Sequence, residues 1–194
     1  MVRFCSPFAE IKRNLDERYD EWVLLTFVGG PTFRMFADFS EVGEFLRKEG
    51  PRLVNARNQE KYDKAIFAIA NRFCHSKIRS SHNKERPRFG HAVKVLNLYV
   101  KHYGFCLAAL GARQAKRAER LLGHAHVPLD RIVLKSIWCD FRDLLEADDI
   151  RKIPRLNKMS PEEYRSIQLI LREQARKERV PAILYDFRWS EGRK

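Results

Sequence analysis

The apolar spacing between Arg86 and Gly104 constrains the fold of this chain more than any other feature. Seven apolar side chains here recur at i, i+3, i+4, i+7, i+10, i+11 and i+14: Phe89, Ala92, Val93, Leu96, Tyr99, Val100 and Tyr103. This period places them on one stripe of an α-helix and excludes a strand, whose period is two residues. Pro87 stands just ahead of the expected start, and Gly104 stands at the expected stop. The sequence therefore predicts a central helix that is buried along one side.

Similar spacing predicts further helices on both sides of the central one. They are expected over residues 8–27, 40–48, 58–79, 107–122, 130–145 and 160–179. Residues 181–189 are expected to be extended and aromatic. Because no alternation typical of strands is present, the sequence predicts an all-α fold of about seven helices. The 194 residues fit a single helical domain, and two lobes with a cleft near residues 86–138 are an open alternative.

Net charge gives the first indication of a partner. The chain has 38 Lys and Arg against 25 Asp and Glu, which is a formal net charge of +13. A field of this sign favours nucleic acid or an anionic membrane surface. No apolar run approaches the length of a membrane span, and the N-terminal residues lack the apolar region of a signal peptide. We therefore expect a cytoplasmic protein, nucleoid-associated if it binds DNA, with DNA as its partner, no membrane contact and no cofactor.

A second face of the central helix is small, polar and basic. It carries Gly90, Lys94, Asn97 and Lys101 at i, i+4, i+7 and i+11. A small residue near the helix start would let a polyanion approach closely, and the lysines would attract its charge. The basic loop ahead of the helix suits phosphate contact, although an ordinary exposed connection explains it equally well. The residues expected to contact nucleic acid are Lys84, Arg86, Arg88, Gly90, His91, Asn97, Lys101, Arg113 and Arg131.

A second stretch, from His126 to Leu134, contains Pro128 followed by Asp130, which is well placed to cap a helix. A helix with a flanking lysine, followed by such a Pro-x-Asp element, resembles the helix-hairpin-helix DNA glycosylase superfamily. The archaeal 8-oxoguanine glycosylase branch is the most similar, because its lysine and aspartate are also widely separated. The resemblance covers about residues 86–138. The Leu-Pro-Gly-x-Gly hairpin of the superfamily is absent, and only Pro87 and Gly90 correspond to it.

The resemblance implies DNA repair by base excision, together with AP lyase activity. Lys94 would attack the sugar C1′ as a neutral amine and form a Schiff base, and Asp130 would orient or deprotonate Lys94. The target base must leave the stack, so a base pocket is expected as well. The aromatic candidates for this pocket are Trp22, Phe33, Trp138, Tyr185 and Trp189, each of which also suits core packing.

Two other functions are compatible with the sequence. A small helical module that holds DNA or RNA through charge needs only the net charge of +13. A basic protein that binds an acidic partner protein would likewise need only this net charge. The pair His124-x-His126 has no Cys or acidic residue at zinc spacing, so solvated loop histidines are expected in preference to metal ligands. Of the three candidate functions, only base excision requires that Lys94 and Asp130 lie close together.

Overall fold

The computed structural model describes residues 35–81, 84–110 and 112–191, and these residues contain seven α-helices. The helices are α1 (Phe39–Val54), α2 (Gln59–His75), α3 (Phe89–Ala109), α4 (Ala112–His124), α5 (Arg131–Ala147), α6 (Pro161–Glu178) and α7 (Leu184–Glu191). A short 3-10 helix, Leu156–Lys158, lies between α5 and α6. Pairing of β type in the described residues is limited to one isolated bridge between Phe36 and Ser80. The predicted all-α fold is confirmed.

Helix α3 lies at the centre of the arrangement. It packs against α1, α2, α4, α6 and the 3-10 helix. Its predicted apolar stripe is buried, and Ala92, Val93, Leu96, Val100 and Tyr103 have no exposed surface. Burying a side chain of the size of Val or Leu stabilises the fold by about 1.5–3 kcal/mol before chain entropy is counted. Buried side chains from all seven helices join this stripe in one hydrophobic cluster.

Helix α3 continues past Gly104 to Ala109, so the predicted stop at Gly104 is wrong. Gly104 is buried, and a Cβ atom at this position would lie 2.5 Å from Leu122 Cδ2 of α4. Real Cβ atoms do not approach other atoms so closely. A larger residue here would force the Leu122 side chain to shift, because α3 and α4 pack in direct contact, and Gly104 does not end the helix.

Helix α1 also runs past its predicted end at residue 48, through Gly50 and Pro51, and continues to Val54. Pro51 lies in the last turn, where the loss of one backbone N–H removes a single helical hydrogen bond. Its carbonyl still accepts a hydrogen bond from the N–H of Asn55 at 3.1 Å. The proline therefore removes one hydrogen bond from the last turn of α1 and does not end the helix.

The C-terminal segment forms helix α7, so the prediction that it is extended is wrong. Tyr185 and Trp189 are one helical turn apart, and their rings stack at a centroid distance of 5.0 Å. The Trp189 indole N–H donates to Asp140 Oδ2 of α5 at 2.8 Å. The carboxylate of Asp186 pairs with Lys101 of α3. These contacts fix α7 against α5 and α3.

Two sequence predictions concern residues that the structure does not describe. The helix predicted over residues 8–27 lies outside the described residues, and so do Trp22 and Phe33. None of the helices in the described ranges is both long enough and apolar enough to cross a membrane.

Candidate nucleic-acid interface

The segment between α4 and α5, residues 125–130, is held by side chains of three other helices. Gln168 of α6 bonds the main chain of Val127 twice, accepting from its N–H at 2.9 Å and donating to its carbonyl at 2.8 Å. The side chains of Val127 and Leu129 are fully buried. Because the backbone of Val127 is paired on both sides, this segment has a defined position, and Asp130 at its end does too.

His126 lies in a buried hydrogen-bond network, so the expectation of a solvated loop histidine is wrong. Its ring is 3% exposed, with Nε2 at 2.8 Å from Asp63 Oδ1 and Nδ1 at 2.7 Å from the Tyr164 hydroxyl. Arg172 donates to both carboxylate oxygens of Asp63, at 3.1 and 3.2 Å. Asn97 donates to the Tyr164 hydroxyl at 2.8 Å. The network joins α2, α3 and α6 to the segment that carries Asp130.

The two hydrogen bonds of His126 fit a neutral ring. A neutral ring that donates its Nε2–H to Asp63 and accepts the Tyr164 O–H at Nδ1 satisfies both nitrogens. Arg172 Nη2 also lies 3.0 Å from His126 Nε2. Both of these nitrogens carry hydrogen in this tautomer, so this contact is a close approach of two donors and not a hydrogen bond.

The pKa shifts agree with this assignment. Burial lowers the pKa of His126 below its ordinary value of 6.5, against the opposing effect of Asp63. Burial would raise the pKa of Asp63, but hydrogen bonds from His126, Gln59 and Arg172 bring it down to about 2. Burial raises the pKa of Tyr164 well above 10.0. At neutral pH the network therefore consists of a carboxylate, a neutral imidazole and a neutral phenol.

Asp130 is the N-cap of α5, as its place after Pro128 predicts. Its Oδ1 atom accepts hydrogen bonds from the N–H groups of Ile132 and Val133, both at 2.9 Å. A cap of this kind is worth about 1 kcal/mol. Because both bonds use Oδ1, the cap does not require Oδ2.

Lys94 and Asp130 line the same cavity. Its volume is about 510 Å³, and its other lining residues are Arg131, Ile132 and Lys135 of α5. Lys94 reaches it from α3. Both residues of the predicted catalytic pair thus line one cavity, together with the cations Arg131 and Lys135.

A larger cavity of about 800 Å³ adjoins the smaller one and shares Arg131 and Lys135 with it. Arg155 and the half-buried His91 also line it, and no acidic residue of the described chain does. We call the two cavities together the basic cleft, formed by α3, α5 and residues 153–157. Within the described residues, no ion pair involves Lys94, Arg131, Lys135 or Arg155.

The residues that lead into α3 add charge beside the basic cleft. Lys84, Arg86 and Arg88 are exposed. Burial lowers the pKa of His91, and the positive charges of Lys94 and Arg88 lower it further. Arg88 is therefore close enough to the cleft to contribute to its field.

Comparison of the chain with protein-family models, with curated proteins and with solved structures finds no match. The resemblance to the helix-hairpin-helix glycosylases therefore stays a prediction. Among the described residues, no group of three or more His, Cys, Asp or Glu is arranged to hold a metal ion.

Three residues predicted to contact nucleic acid make contacts within the chain itself. Asn97 is fully buried in the His126 network. Gly90 lies directly beneath the 3-10 helix, where a Cβ atom would be 1.9 Å from the Leu156 carbonyl oxygen. The charge of Lys101 is neutralised by Asp186. The prediction is wrong for Asn97 and Gly90, because both are buried under other parts of the chain. For Lys101 it stays a prediction.

The two tryptophans of the predicted base pocket that the structure describes lie away from the basic cleft. Trp189 is buried against Tyr185 and Asp140. Trp138 is partly buried on α5, with the Arg142 guanidinium 5.6 Å from its ring centre. Neither lines the basic cleft. The side chain of Arg113, in the first turn of α4, lies outside the described part of the chain.

Two cations of the basic cleft were not predicted from the sequence. Lys135 follows Arg131 by four residues, so both lie on one face of α5, and this spacing could have indicated it. Arg155 belongs to the basic segment 151–155, which has no periodicity that would indicate its neighbours. It reaches the cleft because the adjoining 3-10 helix packs on Gly90 of α3.

Proposed function

We propose that the protein binds nucleic acid in the basic cleft. The observation that carries the proposal is the convergence of Lys94, Arg131, Lys135 and Arg155 on two adjoining cavities. These residues come from three separate segments and have no ion-pair partner among the described residues. Clustered cations repel one another, and a chain of phosphates removes this repulsion while releasing its own counterions.

The charge balance supports this choice of partner. Asp130 is the one acidic residue that lines the cleft in the described chain, and its Oδ1 atom is engaged by α5. The excess of positive charge over the whole sequence, +13, adds long-range attraction. Binding of this kind, without base contacts, typically has a Kd of about 10⁻⁴–10⁻⁶ M at physiological salt.

Fluorescence anisotropy with a labelled oligonucleotide of about 20 nucleotides tests the proposal. The double variant Arg131→Gln/Lys135→Gln removes two cleft charges. The matched control Arg176→Gln/Lys177→Gln removes the same charge from the exposed end of α6, which lines neither cavity. At about 0.1 M salt each lost phosphate contact weakens binding by about tenfold, so the cleft variant should bind at least tenfold more weakly than the control. Equal losses in both variants, or no binding by the unmodified protein, would contradict the proposal.

Base excision with AP lyase activity is a second candidate, favoured by the position of Lys94 and Asp130 on one cavity. The neutral Lys94 amine would attack C1′ of the nucleotide, the base would leave with a proton, and opening of the sugar would give a Schiff base. Asp130 would accept the proton that Lys94 must lose. The extruded base would lie against the aliphatic side chains of the larger cavity.

Borohydride trapping separates this candidate from binding alone. Incubation with DNA that contains a damaged base or an abasic site, followed by reduction, should give a covalent adduct. Lys94→Gln should abolish it and keep the helix, because Gln and Lys have similar helix propensity. Lys135→Gln, on the same cavity, should weaken binding and keep the adduct. Absence of an adduct with every lesion, or an adduct that survives Lys94→Gln, would exclude Lys94 as the nucleophile.

A further inference from the structure

The larger cavity of the basic cleft has an apolar wall as well as a cationic rim. The wall is formed by Leu134 of α5 and by Ile153, Pro154 and Leu156. Ile153 is 39% exposed, so it leaves an aliphatic surface open in the cavity that Arg155 also lines. A ligand that contacts both parts combines negative charge with an apolar surface, as a nucleotide does in its phosphate and the faces of its base.

We infer that this cavity holds one unpaired nucleotide of a single strand, and the inference rests on the proposed binding of nucleic acid in the cleft. The phosphates would meet Arg131, Lys135 and Arg155, and the base would lie against Leu134 and Ile153. The volume of about 800 Å³ is sufficient for such a group. Three polar side chains at the cavity, Ser80, His91 and Asn157, are available to the edge of the base.

The apolar wall and the cations favour different forms of nucleic acid. Charge alone favours a duplex, because each phosphate of a duplex releases more counterion than one of a single strand. The bases of a duplex are stacked and paired, and a base must leave the stack before it can enter a cavity. A cleft that uses only its cations therefore prefers duplex, and a cleft that also uses its apolar wall prefers a single strand.

Three DNA probes of equal length and label distinguish these cases: a single strand, the same strand with abasic residues throughout, and the duplex. At one salt concentration the single strand should bind at least about fivefold more tightly than either of the others, as expected when an aliphatic surface is covered by a base. Ile153→Ser should reduce this preference to about twofold or less. Leu169→Ser is the control, since Leu169 is 45% exposed on α6 and lines neither cavity.

The outcomes separate this inference from the proposed function. Equal binding of the abasic and the base-bearing strand would overturn the inference and leave binding in the cleft intact. A preference for the single strand that Ile153→Ser leaves unchanged would overturn it too, because the base would then lie elsewhere. Failure to bind any of the three probes would remove both proposals.

Discussion

Gln168 and Val127 are joined by two hydrogen bonds between a side-chain amide and a main chain, at 2.9 and 2.8 Å. Gln168 is 2% exposed, and Val127 has no exposed surface. Val127 precedes Asp130 by three residues and Arg131 by four. The pair therefore positions the start of α5, where Asp130 and Arg131 of the basic cleft lie.

Replacement of Gln168 by Leu should destabilise the protein by about 1–3 kcal/mol, because it keeps the volume but leaves the buried N–H and carbonyl of Val127 without this partner. Gln174→Leu, a partly exposed position on the same helix, should change stability by less than about 0.5 kcal/mol. Urea denaturation measures both, through a shift of the midpoint at constant slope. Equal effects of the two substitutions would show that the Gln168 bonds do not hold the segment.

Asp130→Asn should separate the effect of Asp130 as a helix cap from the effect of its negative charge. Asn accepts hydrogen bonds as an N-cap about as well as Asp, so the free energy of unfolding should change by less than about 1 kcal/mol. Loss of the negative charge beside Lys94 and Arg131 should strengthen oligonucleotide binding about two- to threefold, given the modest size of exposed charge interactions. Any base-excision turnover should be lost. Anisotropy and thermal melting measure these effects, and weaker binding by a stably folded Asp130→Asn would contradict this account of the cleft.

Stability should fall in two steps as the pH is lowered. The folded-state pKa of His126 lies below the unfolded value of about 6.5, so the unfolded chain takes up this proton first and stability decreases below about pH 6.5. The shifts of His91, His102 and His124 have the same direction. Asp63, with a pKa of about 2 against 3.8 ordinarily, stabilises the fold above about pH 4, and this contribution is lost between about pH 4 and 2.

Denaturation at pH 7 and pH 5 checks the first step. Each proton contributes at most about 1.4 kcal/mol per pH unit. His126→Gln, which does not titrate, should lose less stability than the unmodified protein over this interval. A loss of the same size in both proteins would place the titrating group elsewhere, and constant stability from pH 7 to 5 would contradict the neutral assignment of His126.

The parts of the fold that were predictable from sequence are those decided within one helix. The apolar stripe of α3 identified its buried face, and Asp130 was recognised as a cap. The helix predicted over residues 160–179 begins at Pro161, where the Ser160 side chain and Glu163 form a capping box. These signals are local, since a period or a cap depends on residues within a few positions of each other.

The errors arose where a residue's role depends on a distant part of the chain. In the sequence Gly104 resembles a helix stop, but in the structure it lies inside α3 in contact with Leu122. Asn97 looks like a surface residue beside Lys94, but Tyr164, 67 positions away, makes it part of the core. His126 is expected to be solvated from the sequence, but in the structure it is hydrogen-bonded to Asp63. Polar residues that are paired in the interior cannot be told from exposed ones by periodicity, because both interrupt an apolar stripe.

The position of the candidate site was only partly predictable for the same reason. The sequence singled out Lys94 and Asp130, and the structure places both on one cavity. Arg155 and the apolar wall come from residues 153–157, which pack on α3 because Gly90 leaves room for the Leu156 carbonyl. The sequence shows this glycine but not the segment that covers it.

The salt dependence of oligonucleotide binding tests the central claim, that cations of the basic cleft neutralise phosphates, most directly. If Arg88, Lys94, Arg131, Lys135 and Arg155 each meet one phosphate of a single strand, log K should fall against log salt with a slope of about −3.5. Arg131→Gln/Lys135→Gln should make the slope less steep by about 1.4, and Arg176→Gln/Lys177→Gln should leave it unchanged. A flat response in the unmodified protein, or the same slope in the cleft variant, would contradict the claim.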